Sequence, residues 1–296
     1  MAIKGFKSYV NKVDGIIHYY DLKRPSNRIG IVLIYAACIL MATIFLFPIF
    51  WLVITSFKDE IQLWSSDSFF PNPVDLVGLK RTWMRLDYGD SIFWSLYECT
   101  GGIFCTIVFN GLAGYAVANV KPRGHMFVWN LCMTLMLVPS TGGFVVLYRT
   151  FVHLGLNKGQ IWPLFLGSGG TAYSIMIFTT FFRNIPRDYI EAARLDGANN
   201  LQIFFRIIFP LSKPIMAIQA INAFTSHWSN FLMPYLVLQN NPRKTVMVKL
   251  YLTGGKGTGN LDSLRASLFS IIPPIIFFCI FQKYIMNNNT AAGIKG

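Results

Sequence analysis

Charged residues cut this chain into long apolar tracts. Six windows hold no Asp, Glu, Lys or Arg: Ile29–Phe57, Cys99–Val120, Gly124–Tyr148, Gly159–Phe182, Pro214–Pro242 and Ala266–Gln282. A helix that crosses a bilayer needs about 20 mostly apolar residues. Hydrocarbon offers a backbone amide no partner, so each window must satisfy its amides within its own helix. The pattern therefore predicts an all-α polytopic fold with six spans, over about 31–56, 92–119, 125–147, 160–182, 214–238 and 266–283. The second span takes in Glu98, the one acidic residue inside any of them. The sixth window is short, and Arg265 and Lys283 are expected to snorkel toward the headgroups at its two ends.

Six spans put both termini on one side. If that side is the cytoplasm, the inner segments 1–28, 121–123, 183–213 and 283–296 hold 15 of the 26 Lys and Arg residues, against 11 outside. Lys4, Lys7, Lys12, Lys23, Arg24 and Arg28 precede the first span and hold the N-terminus inside. The first window is too long for a signal-peptide core and lacks a small-residue cleavage site, so it is expected to remain as an anchor. Residues 1–28 thus read as a cytoplasmic arm and 29–296 as the transmembrane domain. The segment 58–90, with Pro71-Asn72-Pro73 and Trp64, Phe69, Phe70 and Trp83, reads as a folded loop lying against the interface.

Composition narrows the class. Charged residues make up 13% of the 296 residues and apolar ones 53%, against roughly 25% charged in average soluble domains. That excludes an ordinary soluble enzyme and a disordered chain. The net charge of +13 flanks the spans without forming one patch, which points to anionic lipid and not to nucleic acid. Cys38, Cys99, Cys105, Cys132 and Cys279 lie in or beside apolar windows with no CxxC pair, and read as packing residues. There is no HExxH, no GxSxG, no paired carboxylate and no Walker A sequence. An ion-driven carrier would usually carry more buried charge than Glu98 alone. The Gly-rich stretch Gly254-Gly255-Lys256-Gly257-Thr258-Gly259 follows no strand and precedes no GK[ST], so it reads as a flexible finger between spans five and six.

The informative polar segment is 184–212, between spans four and five. Asn184 is a cap candidate and Pro186 falls in a first turn, with Asp188 and Glu191 near the positive end of the helix dipole. Ile190, Ala193 and Leu195 make a short apolar side, and Gly197 ends the helix as a residue that tolerates left-handed geometry. Asn199 or Asn200 can cap a second helix with the stripe Ile203, Phe204, Ile207 and Ile208, ended by Pro210. Two short helices at a sharp turn, with small side chains at Ala192 and Ala193 beside the Glu191 carboxylate, suit either close docking to a partner or a loop resting on lipid.

The spacing Glu191-Ala192-Ala193, Gly197, Ile207 and Pro210 resembles the EAA loop of the membrane subunits of bacterial ABC importers, with Phe209 where that family usually has Leu. The fuller run Glu191-Ala192-Ala193-Arg194-Leu195-Asp196-Gly197-Ala198 resembles the carbohydrate branch, the relatives of the maltose permease. Asn110-Gly111-Leu112-Ala113-Gly114-Tyr115-Ala116, Leu154-Gly155-Leu156-Asn157, Trp228-x-Asn230-Phe231 and Gly293-Ile294-Lys295-Gly296 are similar to other parts of that family. The resemblance implies a type I importer permease fold in the bacterial plasma membrane. It implies four kinds of partner: a second, different permease subunit, two copies of a cytoplasmic ATPase, a solute-binding protein and the lipid bilayer. No cofactor is implied for this chain; ATP and magnesium belong to the ATPase. Glu191, Ala192, Ala193, Asp196 and Gly197 would form the coupling surface, while Gly254, Gly255, Lys256 and Gly257 would reach the binding protein and the C-terminal tail the ATPases. The same machine for an amino acid or a phosphonate is the rival reading.

Polar residues inside spans usually face a bundle interior or a water path. Asn222, Thr225, Ser226, His227, Trp228 and Asn230 cluster in span five, where amides, hydroxyls and an aromatic face would suit a sugar. Hydrogen bonding between helices accounts for them equally well, and for His227 a packed neutral ring is the preferred reading. Glu98 suits a solute contact, a pair with a base on the partner permease, or the wet interface. Gly101, Gly102, Gly111, Ala113 and Gly114 read as close-packing positions.

Overall fold

The structure is a computed structural model that describes residues 25–65, 68–138, 140–255 and 260–286. All regular elements among the described residues are helical. In chain order they are α1 (Pro25–Ser56), α2 (Glu60–Ser65), α3 (Leu76–Arg85), α4 (Tyr88–Val120), α5 (His125–Leu137), α6 (Ser140–His153), α7 (Trp162–Gly170), α8 (Ala172–Arg183), α9 (Asp188–Leu195), α10 (Asn200–Leu211), α11 (Lys213–Ser229), α12 (Leu232–Val237), α13 (Val246–Gly255) and α14 (Asn260–Met286). Residues 1–24 of the N-terminal arm, Lys256, Gly257 and the tail Gly293–Gly296 lie outside the described residues, while residues 25–28, expected to belong to that arm, already form the start of α1.

Among the described residues three helices are long and apolar enough to cross a bilayer alone: Ile29–Ser56 within α1, α4, and Leu261–Gln282 within α14. The other windows do not give the continuous helices their composition predicts. The third breaks between α5 and α6, where Val138 is extended ahead of Pro139. A proline ring disfavours helical geometry in the residue before it. The fourth bends by 46° between α7 and α8, and the fifth is preceded by an 83° bend between α10 and α11. Ser212 marks that bend, with Pro214 in the first turn of α11. A ring without an N–H and with fixed φ starts a helix readily but cannot continue one. The fifth window then opens again at Asn230 before α12.

α4 is the central element. It packs against α7, α8, α11 and α13, and α11 packs in turn against α14. Glycines set the approach. A Cβ on Gly114 would lie 2.7 Å from the Cβ of Phe178, and one on Gly102 would collide with the His227 imidazole. Two wider π turns lie in α4: Thr106–Asn110 interrupts it without ending it, and Ala116–Val120 is its last stretch before Lys121. At one end of the bundle Tyr115, Phe178, Phe182, Ile203, Phe204 and Ile208 form a core that clamps α10 to α4 and α8. At the other end Tyr88, Cys99, Phe224, Trp228 and Ala266 form a second. Cys105 and Cys132 are buried as well, whereas Cys38 and Cys279 lie on exposed apolar faces.

α1 stands apart. Nearly all its side chains from Val32 to Phe50 are exposed, and only Ile54, Thr55 and Ser56 are buried. A helix apolar on every side is stable only in hydrocarbon or against another apolar surface. Its tether is Arg265 of α14, and here the snorkelling expectation fails: Arg265 is 4% exposed. Its guanidinium donates to the Ser56 carbonyl at 3.1 Å, the Lys58 carbonyl at 2.9 Å and the Asp75 carboxylate at 2.7 Å. A charge in this position is satisfied inside the protein because three backbone and side-chain acceptors converge on it. Asp75 also caps α3 through the Gly78 amide at 2.7 Å. A Cβ at Gly78 would collide with the Asp75 carboxylate and the Arg265 guanidinium, so a side chain there would have to displace that pair. Arg85 pairs with Asp262, which also accepts from the Thr82 hydroxyl at 2.6 Å. The segment 58–90 is thus folded, as expected, and the contacts that hold it are made to α14, with Trp64, Phe69 and Phe70 exposed on its surface.

Removing one partner of a buried charge pair strands the other, at a cost of about 3 kcal/mol. Arg265→Ala is accordingly expected to lower the thermal midpoint of the purified protein in lipid nanodiscs more than Arg85→Ala does. Partial burial raises the Asp75 carboxyl, but the Gly78 amide and the Arg265 charge outweigh it and hold the group below the free value of 3.8. This stabilisation is complete above 3.8 and disappears as pH falls through the lower native value. A thermal-stability profile should show that acid limb in the native chain and lose it in Asp75→Asn.

Candidate functional site

The segment 184–212 builds a two-helix projection from one end of the bundle. Asn184 does not cap its first helix. It ends α8 instead, donating its amide to the Phe181 carbonyl at 3.1 Å. Pro186 lies in the open stretch that follows, and α9 begins at Asp188 with the Arg187 carbonyl accepting the Ile190 and Glu191 amides. Ile185, the residue before the proline, is biased away from helix, which delays the start.

α9 ends as its sequence predicts. Gly197 has φ +80°, its amide donates to the Arg194 carbonyl at 3.0 Å, and the Ala198 amide donates to the Ala193 carbonyl at 3.0 Å. These two bonds are the Schellman arrangement. Asn199 then starts α10 with a reciprocal capping box: its side chain accepts from the Gln202 amide at 2.8 Å and its amide donates to the Gln202 side chain at 2.8 Å. Ile203, Phe204 and Ile208 are buried in the core beneath.

The apolar side of α9 is narrower than the sequence pattern suggests. Ile190 and Ala193 are buried, but Leu195 is 89% exposed. Ala193 therefore packs inside the chain, and Ala192 alone is the small residue on the outer face. Glu191, Asp196 and Gly197 are exposed beside it. Glu191 also rims a cleft of about 160 Å3 between α9 and the end of α4, with Lys121, Arg187 and Arg194 on the same rim. The surface so presented is rigidly based, small at its centre, mixed in charge and crowned by a bare leucine. It suits docking into a groove on another protein.

The polar residues of span five separate into two groups. Asn222, Thr225, Ser226 and Ser229 are exposed on α11, and Asn230 is half-buried beyond its end. Trp228 is buried and stacked on Phe224 at 5.5 Å, so it acts as a packing residue. His227 and Glu98 meet each other. His227 Nδ1 lies 3.3 Å from Glu98 Oε1, and His227 Nε2 lies 2.9 Å from the Ser168 hydroxyl. Glu98 is 1% exposed, so its partner is a base of its own chain, not the wet interface.

Sequence reasoning missed the residue opposite. Asn110 is fully buried in α4. Its amide donates to the Ser168 carbonyl at 2.7 Å and the Thr171 hydroxyl at 3.2 Å, and its carbonyl accepts the Thr171 amide at 3.1 Å. An amide side chain inside an uncharged window, 58 residues before a Gly-Ser-Gly-Gly run, was the available signal. At the other end of the bundle Gly254 and Gly255 close α13 as helix and do not begin a loose finger.

A bundle of apolar helices with a buried internal polar network and one projecting helical elbow defines a multi-pass membrane protein built to engage a partner. Residues 110–288 match the family described as binding-protein-dependent transport system inner membrane component, and the chain belongs to that family. Among its relatives is the melibiose/raffinose/stachyose import permease protein MelC of Bacillus subtilis (strain 168), 28% identical over 84% of this chain and 91% of the relative. Another is the arabinooligosaccharides transport system permease protein AraQ of the same organism, 29% identical over 87% and 93%. The fold matches a chain from the crystal structure of a bacterial ABC transporter involved in the import of the acidic polysaccharide alginate. That match has a TM-score of 0.77 at 22% identity and covers 88% of this chain and 98% of the other.

The caps predict how firmly the elbow is held. Losing the Asn199 cap costs about 1 kcal/mol. Asn199→Ala is expected to speed hydrogen exchange at the Gln202 amide by roughly fivefold, while amides of α4 keep their native protection.

Proposed function

We propose that this chain is a permease subunit of an ATP-driven importer for a carbohydrate, most consistent with an oligosaccharide, in a bacterial plasma membrane. The observation that carries the reading is the rigid elbow at α9 and α10, with Glu191, Ala192, Asp196 and Gly197 presented outward from a fixed turn. The sugar assignment is supported by relatives whose names specify melibiose, raffinose, stachyose and arabinooligosaccharides. In this reading the two broken windows and α5 with α6 each count as one span, giving six spans with both termini in the cytoplasm.

The chain works with a second permease subunit, two ATPase subunits that hold ATP and magnesium, and a solute-binding protein outside. α9 seats in a groove of one ATPase. Ala192 lets the two backbones approach, and Glu191 meets a basic group there. Closure of the ATPases on ATP pulls α9, and the core of Ile190, Ala193, Ile203 and Phe204 passes the motion to α4 and α8. Packed cores move as units, so the spans rock as blocks and expose the path alternately to each side. Asn222 and Ser226, with Asn230 beyond them, offer hydroxyls and amides to a passing sugar from the exposed face of α11. Gly254 and Gly255 close α13, and the glycine-rich stretch that starts there would meet the binding protein.

The test is ATP hydrolysis and uptake by the complex in proteoliposomes, with the native chain compared with Glu191→Ala and Gly197→Asp. An aspartate at φ +80° costs about 1–2 kcal/mol in backbone strain alone. Solute-stimulated hydrolysis should fall about tenfold or more in both variants while the complex still assembles. Raffinose, maltotriose, glucose and glutamine, each presented on its binding protein, separate the solute classes. Stimulation by glutamine alone would end the carbohydrate assignment, and native-like coupling in both variants would end the role of the elbow.

A further inference from the structure

At the 46° break between α7 and α8, buried polar side chains tie three spans together. Gly167–Gly170 forms a tight 3-10 turn and Thr171 is extended, so the regular bonding of the helix lapses there. At membrane depth such lapses must be filled by protein groups. Asn110 fills them from α4, taking the Thr171 amide and the Ser168 carbonyl with its two ends. From the opposite side, His227 of α11 engages the Ser168 hydroxyl and is itself held by Glu98, three turns before Asn110 on α4.

Proton accounting makes this network specific. The Ser168 hydroxyl has one hydrogen and places it on the Phe165 carbonyl at 2.5 Å. Toward His227 it can therefore only accept, which requires the proton on Nε2. The Nδ1–Glu98 contact then needs at least one proton, on the ring or on the carboxyl. Without it a lone pair would face a carboxylate. Gly102 leaves room for the ring beside α4.

We propose that Glu98, His227 and Asn110 are positioning residues of the transport cycle: together they lock the Gly-rich hinge between α7 and α8 in the bent form seen here, and the lock must open for the path to change sides. The inference rests on the importer reading above. Glycines 167, 169 and 170 give the turn its freedom, and the side chains of neighbouring spans remove it. Releasing the lock lowers the cost of the alternate state, so the complex should hydrolyse ATP without waiting for its loaded binding protein.

The experiment uses the whole complex in proteoliposomes, with ATP alone as the probe and no binding protein. Glu98→Ala, His227→Ala and Asn110→Ala are each expected to raise this basal hydrolysis by about fivefold or more, the range of ordinary coupling effects. The Glu98→Ala/His227→Ala double variant should match the singles, since both break one link. Glu98→Gln keeps an N–H for Nδ1 and should stay near the native rate, whereas Glu98→Leu fills similar space without a polar group and should match Glu98→Ala; a native rate in assembled Glu98→Leu would show a steric role and overturn the lock. Ser168→Ala deletes only a hydroxyl and decides the matter if the larger truncations fail to assemble: a native basal rate in assembled Ser168→Ala would overturn the proposal. So would native rates in the assembled alanine variants. If the native complex itself fails to couple hydrolysis to solute, the importer reading falls and this inference with it. If the native complex couples and the variants match it, only the lock falls.

Discussion

A bilayer core supplies no hydrogen-bond partner, so every interruption of a helix within it has to be repaired by another part of the protein. The architecture follows from that constraint. Continuous helices such as α1 need nothing and stand almost bare. The broken window between α7 and α8 needs two acceptors and donors at one point, and it sits against the buried Asn110 and within reach of His227. Asn110, and through Ser168 also His227, meet the chain where its backbone bonding lapses, and α4, which supplies Glu98 and Asn110, is the element against which α7, α8, α11 and α13 pack.

The same economy governs the two ends. At one end Arg265 gathers the frayed carbonyls after α1 and the carboxylate that caps α3, so a single buried cation organises the segment 58–90. At the other end, among the described residues, caps and apolar burial do this work. Backbone capping at Gly197 and Asn199 closes α9 and opens α10, and apolar burial of Ile203, Phe204 and Ile208 fixes the elbow to the bundle. An elbow held by short-range caps and a dry core is stiff, and stiffness is what a part that transmits motion requires.

Helix π turns add a geometric freedom that regular α-helix lacks. α4 contains two, and a third, Phe204–Ile208, lies in α10. Such turns are frequent at functional sites. Here the first ends at Asn110 and the third carries Phe204 and Ile208 into the core beneath α9. Each shifts the facing of the residues that follow, which lets one continuous helix serve the hinge at one level and the elbow at another.

By itself the sequence determined that the chain is helical and built for a membrane, because the absence of charge over windows of spanning length leaves hydrocarbon as the only compatible solvent. It also determined the turn of the elbow, a stop at Gly197 followed by an asparagine cap, because these are read out by bonds between neighbours in the chain, whereas the start of α9 fell later than Asn184 and Pro186 suggested. The tertiary structure decided what depends on distant partners. Arg265 reads as a snorkelling end residue until Ser56, Lys58 and Asp75 are seen around it. Glu98 and His227 are separated by 129 positions, and no local rule brings them together. Leu195 and Ala193 differ by two residues, yet one is bare and the other buried, because burial is set by which face the core covers and not by apolarity alone.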